Sequence, residues 1–369
     1  MPVNLDTRSI ESPAATEIYI SAAPDLNAPP AQQAREIFSA IADTLRSKKA
    51  AILQERVFAV QDAIKTISEI RSKQYAALDD GVAPSLLVCT EGLSGPIAGV
   101  QIHAIAADTT PDVIDFDGTR CGRILRSPDR TYLTLSNISD PSSPQPTQQA
   151  AAMLEKGEAI LKQSGTDMLS VARTWMWLAD ILSWYDDFNH VRNKFFTERG
   201  IIGQNTRQSM PASTGIGLAP ADGAHCAMDL IAVLEPADSV LYLPAVGKQQ
   251  CALEYGSAFS RASKAATPAA ETVFVSGTAS IDADGNTTNI DDAQGQINTT
   301  IENVRAVLKD MNCADSDVVQ VVAYCKTTDV ENILNGLKDN LPWPWLTAIC
   351  DICRPDLLFE IEAAATTTS

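Results

Sequence analysis

Histidine is nearly missing from this 369-residue chain: His103, His190 and His225 stand far apart, so no histidine-rich metal centre is expected. Positive charge is scarce as well, with 28 lysines and arginines against 46 acidic residues and a net charge of -18. Phosphate backbones and anionic membranes would be repelled by most of such a surface, so neither nucleic acid nor membrane is expected as a partner. No uncharged apolar run reaches the roughly 20 residues of a membrane helix, and the N-terminal stretch lacks a basic segment followed by an apolar one. A cytoplasmic location is the expectation. The 8 cysteines follow no regular spacing, which fits reduced thiols in a reducing compartment. Cys350-Asp-Ile-Cys353 has redox or zinc spacing, but no second pair completes four ligands. Gly215-Ile-Gly217 is too short for a dinucleotide fingerprint. No metal or cofactor is expected. With 45% hydrophobic and 20% charged residues, the chain has the composition of a folded protein of two or three domains. A small anionic substrate remains compatible with the acidic surface if arginines gather inside a shielded cleft.

Internal repetition organises the sequence. The third copy is the clearest. Glu271-Thr-Val-Phe-Val-Ser-Gly-Thr-Ala-Ser280 reads as a strand, and residues 297–308 carry apolar side chains at helical spacing. A strand over 317–325, a helix over 329–341 and a closing strand over 357–364 follow. The second copy runs strand 130–136, helix 148–162, strand 169–177, helix 184–196 and strand 228–233. The first runs strand 17–21, helix 31–45, strand 51–58, helix 62–75 and strand 99–105. Laid over one another, the closing strands Gln-Ile-His-Ala, Asp-Leu-Ile-Ala and Glu-Ile-Glu-Ala set Gln101, Asp229 and Glu360 at one level. One copy alone would leave a sheet face uncovered, whereas three can close around a pseudo-threefold axis. The expected fold class is therefore α+β, three tandem modules over 1–112, 113–240 and 241–369 forming an intramolecular pseudo-trimer, and the chain is expected to be a monomer. Boundaries are read near 109–117 and 236–250, and the Gly- and Pro-rich stretch 203–223 as a long surface loop.

Val273-Phe-Val-Ser-Gly277, Asn303-Val-Arg-Ala-Val-Leu308 and Phe359-Glu-Ile-Glu-Ala363 resemble the RidA/YjgF family of small trimeric proteins, many of them enamine and imine deaminases. The resemblance puts Glu360 in an inter-module cleft as the proton-handling group. That family carries a substrate-gripping arginine about fifteen residues earlier, where this chain has Trp345. Further segments resemble the chorismatases, long single-chain relatives of RidA. They include Leu53-Gln-Glu-Arg-Val-Phe58, Trp184-Tyr-Asp-Asp-Phe-Asn-His-Val-Arg-Asn-Lys-Phe-Phe196, Pro211-Ala-Ser-Thr-Gly-Ile-Gly217, Tyr255-Gly-Ser-Ala-Phe-Ser-Arg-Ala262 and Asp351-Ile-Cys-Arg-Pro-Asp-Leu-Leu358.

That resemblance implies a dianionic small-molecule substrate, chorismate, and release of its enolpyruvyl group as pyruvate. An acid held in an apolar strand stays protonated near neutral pH, and Glu360 between Phe359 and Ile361 suits that role. Without the resemblance, Glu360 reads as a surface residue of an alternating strand. Glu362 shares its face and either raises its pKa or lies exposed at the strand end. Carboxylates call for arginine: Arg192 lies almost two helical turns after Tyr185, so both project from one face. Arg261 and Arg354 are further candidates. By resemblance Thr214 and Gly215 line the cleft, and Cys353 with Gly277 accompanies the aromatic product, 3-hydroxybenzoate, over a dihydroxycyclohexadiene carboxylate. A RidA-type deaminase and a non-enzymatic ligand-binding module are the alternatives.

Overall fold

The computed structural model describes residues 3–24, 28–90, 95–203 and 209–367; part of the 203–223 stretch lies outside them. The first module comprises β1 (Val3–Glu11), β2 (Ala15–Pro24), α1 (Pro30–Lys48), β3 (Ala51–Ala59), α2 (Gln61–Tyr75), β4 (Ser85–Val88) and β5 (Ile97–Ala107). The second comprises β6 (Asp112–Phe116), β7 (Thr119–Arg126), β8 (Thr131–Ile138), α3 (Pro146–Gln163), β9 (Val171–Leu178), α4 (Ile181–Glu198), β10 (Ala212–Ile216), β11 (Ala219–Pro220) and β12 (Cys226–Glu235). The third comprises β13 (Leu241–Leu243), β14 (Ala262–Ala266), β15 (Glu271–Ala279), α5 (Ala293–Asp310), β16 (Val318–Cys325), α6 (Thr328–Asn335), β17 (Trp345–Ile349) and β18 (Phe359–Thr367).

The three sheets share one order, β1-β2-β5-β3-β4, β7-β8-β12-β9-β10 and β14-β15-β18-β16-β17. The closing strand of each module is therefore central, and a short strand parallel to its neighbour forms one edge. β6 and β13 extend two of the sheets, and β11 crosses over to pair with β4 of the first module. The segment read as a boundary at 109–117 thus contains β6, which is drawn into a hairpin with β7. α6 stops at Asn335 rather than 341, because Gly336 follows and a 3-10 turn takes Lys338–Asn340.

Strand alternation explains why the modules need one another. On β18, Phe359, Ile361, Ala363 and Ala365 pack toward α5, whereas Ala364 joins a central core to which all three modules contribute. Helices cover only the outer faces, so each inner face is buried by the other two sheets. Buried charges pin this centre. Arg56 of β3 reaches Asp229 of β12 at 3.3 Å and Glu362 of β18 at 4.0 Å, and its guanidinium lies 3.6 Å from the Trp175 ring centroid. Asp229 also accepts from the Ser85 hydroxyl at 2.6 Å and the Asn137 backbone N–H at 2.8 Å. One arginine therefore ties all three modules together.

Register corrects the level assigned to the closing strands. Glu360 faces Tyr324 across β16, Ala227 faces Trp177 across β9, and Gly99 faces Phe58 across β3. Glu362, Asp229 and Gln101 face Val322, Trp175 and Arg56 in the same way. Bulges at 275–278 on β15 and 135–138 on β8 confirm that Asp229 matches Glu362. The row containing Glu360 is thus Gly99, Ala227 and Glu360, and only the third module places a carboxyl in it.

Candidate active site

The cleft with Glu360 lies between the second and third modules. Its walls are α4, β10, the segment leading to β14, the bulged end of β15 and the turn before β18, enclosing about 790 Å³ including the open mouth. α4 builds one wall. After a break in helical geometry at Trp184, Tyr185, Asn189 and Arg192 follow at i, i+4 and i+7 and face the cleft, while Phe188, Phe195 and Phe196 turn to the core.

Arg192 is only 1% exposed; it donates to Asn189 at 2.7 Å, and its Nε has no partner among the described residues. The Phe188 and Phe259 rings lie 5.3 and 5.8 Å from the guanidinium, and burial pulls its pKa below the ordinary arginine value. Two more cations line the cleft. Arg261 donates through Nε to the Gln250 carbonyl at 2.8 Å and pairs with the Tyr255 hydroxyl; Arg354 donates to the Gly285 carbonyl at 2.6 Å. Tyr185 stacks on Phe188, and burial raises its phenol well above the ordinary range.

Glu360 is 4% exposed, and among the described residues no hydrogen bond reaches its carboxyl. Burial and then Glu362 raise its pKa from 4.5 to about 8, against the opposing pull of Arg173, Arg354 and Arg261. At neutral pH the carboxyl therefore holds its proton. Gly277 makes this position possible, because a Cβ there would collide with the Glu360 carboxyl. Gly215 stands against Tyr185, whose ring carbon lies 3.4 Å from where a Cβ would project. Thr214 sits behind the cleft instead: its hydroxyl accepts from Arg173, and its methyl group faces Gly277.

Glu362 is not exposed at a strand end. It is buried on the same strand face as Glu360 and accepts from Arg173 and from the Trp175 indole, each at 2.9 Å. The Cys-x-x-Cys pair divides, with Cys350 in the central core and Cys353 in the cleft, where burial pushes the thiol up to about 12. Among the sequence candidates, Glu360, Cys353, Tyr185, Arg192, Arg261, Arg354, Gly215 and Gly277 all line one cleft. Tyr255, Phe259, Asn189 and Ser257 line it too: Asn189 stands at helical spacing from Tyr185 and Arg192, and the other three belong to the 255–262 segment. Trp345 belongs elsewhere, on β17 against the first module, and by register Ser213 holds the matching place beside Glu360.

Residues 253–367 match the family model described as Endoribonuclease L-PSP. Among solved structures, a chorismatase is similar over 78% of this chain and 88% of its own, with a TM-score of 0.59 and 20% identity. This chain shares the chorismatase fold. The RidA protein of an Antarctic Psychrobacter species is 20% identical over 30% of this chain and 88% of its own, with a TM-score of 0.25. Yeast Mmf1 is 14% identical over 35% of this chain and 99% of its own, with a TM-score of 0.29. No curated protein matches at a significant level. Within the chorismatase fold of this chain, Arg192 comes from the second module, and Glu360, Arg261 and Arg354 come from the third.

Proposed function

We propose that the chain is a chorismatase that removes the enolpyruvyl group of chorismate as pyruvate. One observation carries the reading: three guanidinium groups, buried at Arg192 and Arg261 and half-buried at Arg354, line one cleft with a buried carboxyl whose pKa burial raises to about 8. A protein of net charge -18 concentrates cations in a cleft only at a cost in desolvation, and a substrate with two carboxylates offsets that cost. Arg192 of the second module and Arg261 with Arg354 of the third supply the cationic groups, with Phe259 close to both Arg192 and Arg261. Tyr185, Tyr255 and Phe259 provide flat apolar surface for a ring between them.

In this reading the Glu360 proton moves to the terminal methylene carbon, using the π electrons of the enol ether, and leaves an oxocarbenium carbon. Glu360 is then a carboxylate beside the cation. Water adding to that carbon returns a proton to Glu360, and the hemiketal collapses to pyruvate and a dihydroxycyclohexadiene carboxylate. Capture by the neighbouring ring hydroxyl gives a cyclic ketal instead; the Glu360 carboxylate then takes the hydrogen of the ether-bearing ring carbon as the neighbouring ring C–O bond breaks, which aromatises the ring, and the remaining hemiketal collapses to 3-hydroxybenzoate and pyruvate with no net water. We favour the aromatic route, because Cys353 and Gly277 flank Glu360 in the same cleft. The parent deaminase activity lacks its carboxylate-gripping arginine, since Ser213 stands at the matching place.

Chromatography of the chorismate reaction tests both halves of the proposal. Wild-type protein is expected to give pyruvate and 3-hydroxybenzoate, and Cys353→Ala to shift the ratio toward the diol. An unchanged ratio would remove Cys353 from the choice of route, and no conversion would sink the assignment.

A further inference from the structure

We propose that Gly285, outside the cleft, is a positioning residue that braces the carboxylate-binding wall formed by Tyr255, Arg261 and Arg354. The proposal takes its ligand, chorismate, from the functional reading above; its geometry stands apart from that reading.

The turn that carries Gly285 leaves the end of β15 just beyond Ile281, which lines the cleft. It is stiffly closed: the Asp282 N–H donates to the Asn286 carbonyl at 3.0 Å, the Gly285 N–H to the Asp282 carbonyl at 3.2 Å, and the Asn286 N–H to the Asp282 carboxylate at 2.8 Å. At its tip Gly285 has φ +81°, a conformation that favours glycine, and its α-carbon presses on the Tyr255 ring so closely that a Cβ would run into it. The Gly285 carbonyl accepts from Arg354 Nη1 at 2.6 Å, and that guanidinium lies 5.4 Å from the Tyr255 ring centroid. The Tyr255 hydroxyl in turn meets Arg261. One glycine thus fixes a ring from one side and a guanidinium from the other, and through the ring it reaches a second guanidinium. A methyl group at this position must displace Tyr255 or pull the carbonyl away from Arg354. Glu360 contacts a different part of the cleft, at Gly277, so the proton-delivering group is left in place.

Gly285→Ala is the test, with Gly118→Ala as control. Gly118 has φ +76° and no atom within 4 Å of its would-be Cβ, so it carries the backbone penalty of a left-handed alanine without a displaced neighbour. Gly285→Ala is expected to raise KM for chorismate about tenfold while kcat stays within about twofold, and the midpoint of the pH profile of kcat/KM moves upward as Arg354 loosens its pull on Glu360. The control is expected to leave all three unchanged. In a Tyr255→Leu background, which makes room, the Gly285→Ala penalty is expected to shrink. A crystal structure of Gly285→Ala supplies a readout free of any assay: a moved Tyr255 ring or a broken Arg354 contact supports the brace. An unmoved wall, an unchanged KM in an active enzyme, or equal losses in the Gly118 control would overturn it. A wild-type enzyme inert toward chorismate would instead overturn the functional reading, leaving the crystal structure to judge the brace.

Discussion

Replacing Glu360 with glutamine is expected to lower pyruvate release by about 10³-fold, the range of a lost general acid, with little change in chorismate binding. Glutamine keeps the shape of the side chain but has no proton to give the methylene carbon. The pH dependence follows from the raised pKa. With the carboxyl titrating at about 8, kcat/KM of the wild type is expected to be level below that value and to fall above it. The same group reports through stability. Its folded pKa of about 8 exceeds the ordinary 4.5, so the native state holds a proton that the unfolded chain releases, and stability is lost as pH rises from about 4.5 to about 8. Glu360→Gln removes that loss. The variant is therefore expected to match the wild type near pH 4 and to exceed it by ~4 kcal/mol near pH 9, measured by urea unfolding. A variant less stable than the wild type near pH 9 would mean that Glu360 is ionised at no net cost in the fold.

Asp229→Ala is expected to destabilise the fold by about 3–5 kcal/mol, the cost of breaking a buried ion pair, while kcat stays within about threefold of the wild type. The carboxylate is fully buried and is held by Arg56, the Ser85 hydroxyl and the Asn137 N–H. Alanine leaves a cation, a hydroxyl and a backbone donor short of a partner where three modules meet. The residue is nevertheless remote from the chemistry, because it occupies the row of Glu362 and Gln101 rather than that of Glu360. Denaturant unfolding and steady-state kinetics on the same preparation separate the two effects. A stable Asp229→Ala protein unable to release pyruvate would contradict the placement of a single site.

Long periodic segments were legible in the sequence because burial imposes their period: the helices at 31–45 and 148–162 and the central strands at 99–105 and 228–233 lie within the observed elements, and the third central strand, read over 357–364, begins at Phe359. The parallel edge strands β4, β10 and β17 were missed, being four or five residues long and, in β10, interrupted by glycine. Their existence depends on a neighbour far away in sequence rather than on local pattern. The slip of two residues in overlaying the closing strands has a related cause. Side chains alternate with period two, so a shift of two keeps every residue on its proper face and leaves the pattern unchanged. The pairings across β16, β9 and β3, together with the bulges at 275–278 and 135–138, fix the row. In the site, Tyr185, Arg192 and Glu360 stood out through spacing and resemblance, whereas Tyr255 and Phe259 join the cleft only because the segment before β14 folds across it.

The most direct test of the central claim is to incubate the purified wild-type chain with chorismate, without added metal or cofactor, and to follow pyruvate by a coupled reductase. The account predicts one pyruvate for each chorismate consumed, at a rate proportional to enzyme and about 10³-fold above that of Glu360→Gln. Chorismate recovered intact, or pyruvate formed equally fast by the Glu360→Gln protein, would contradict it.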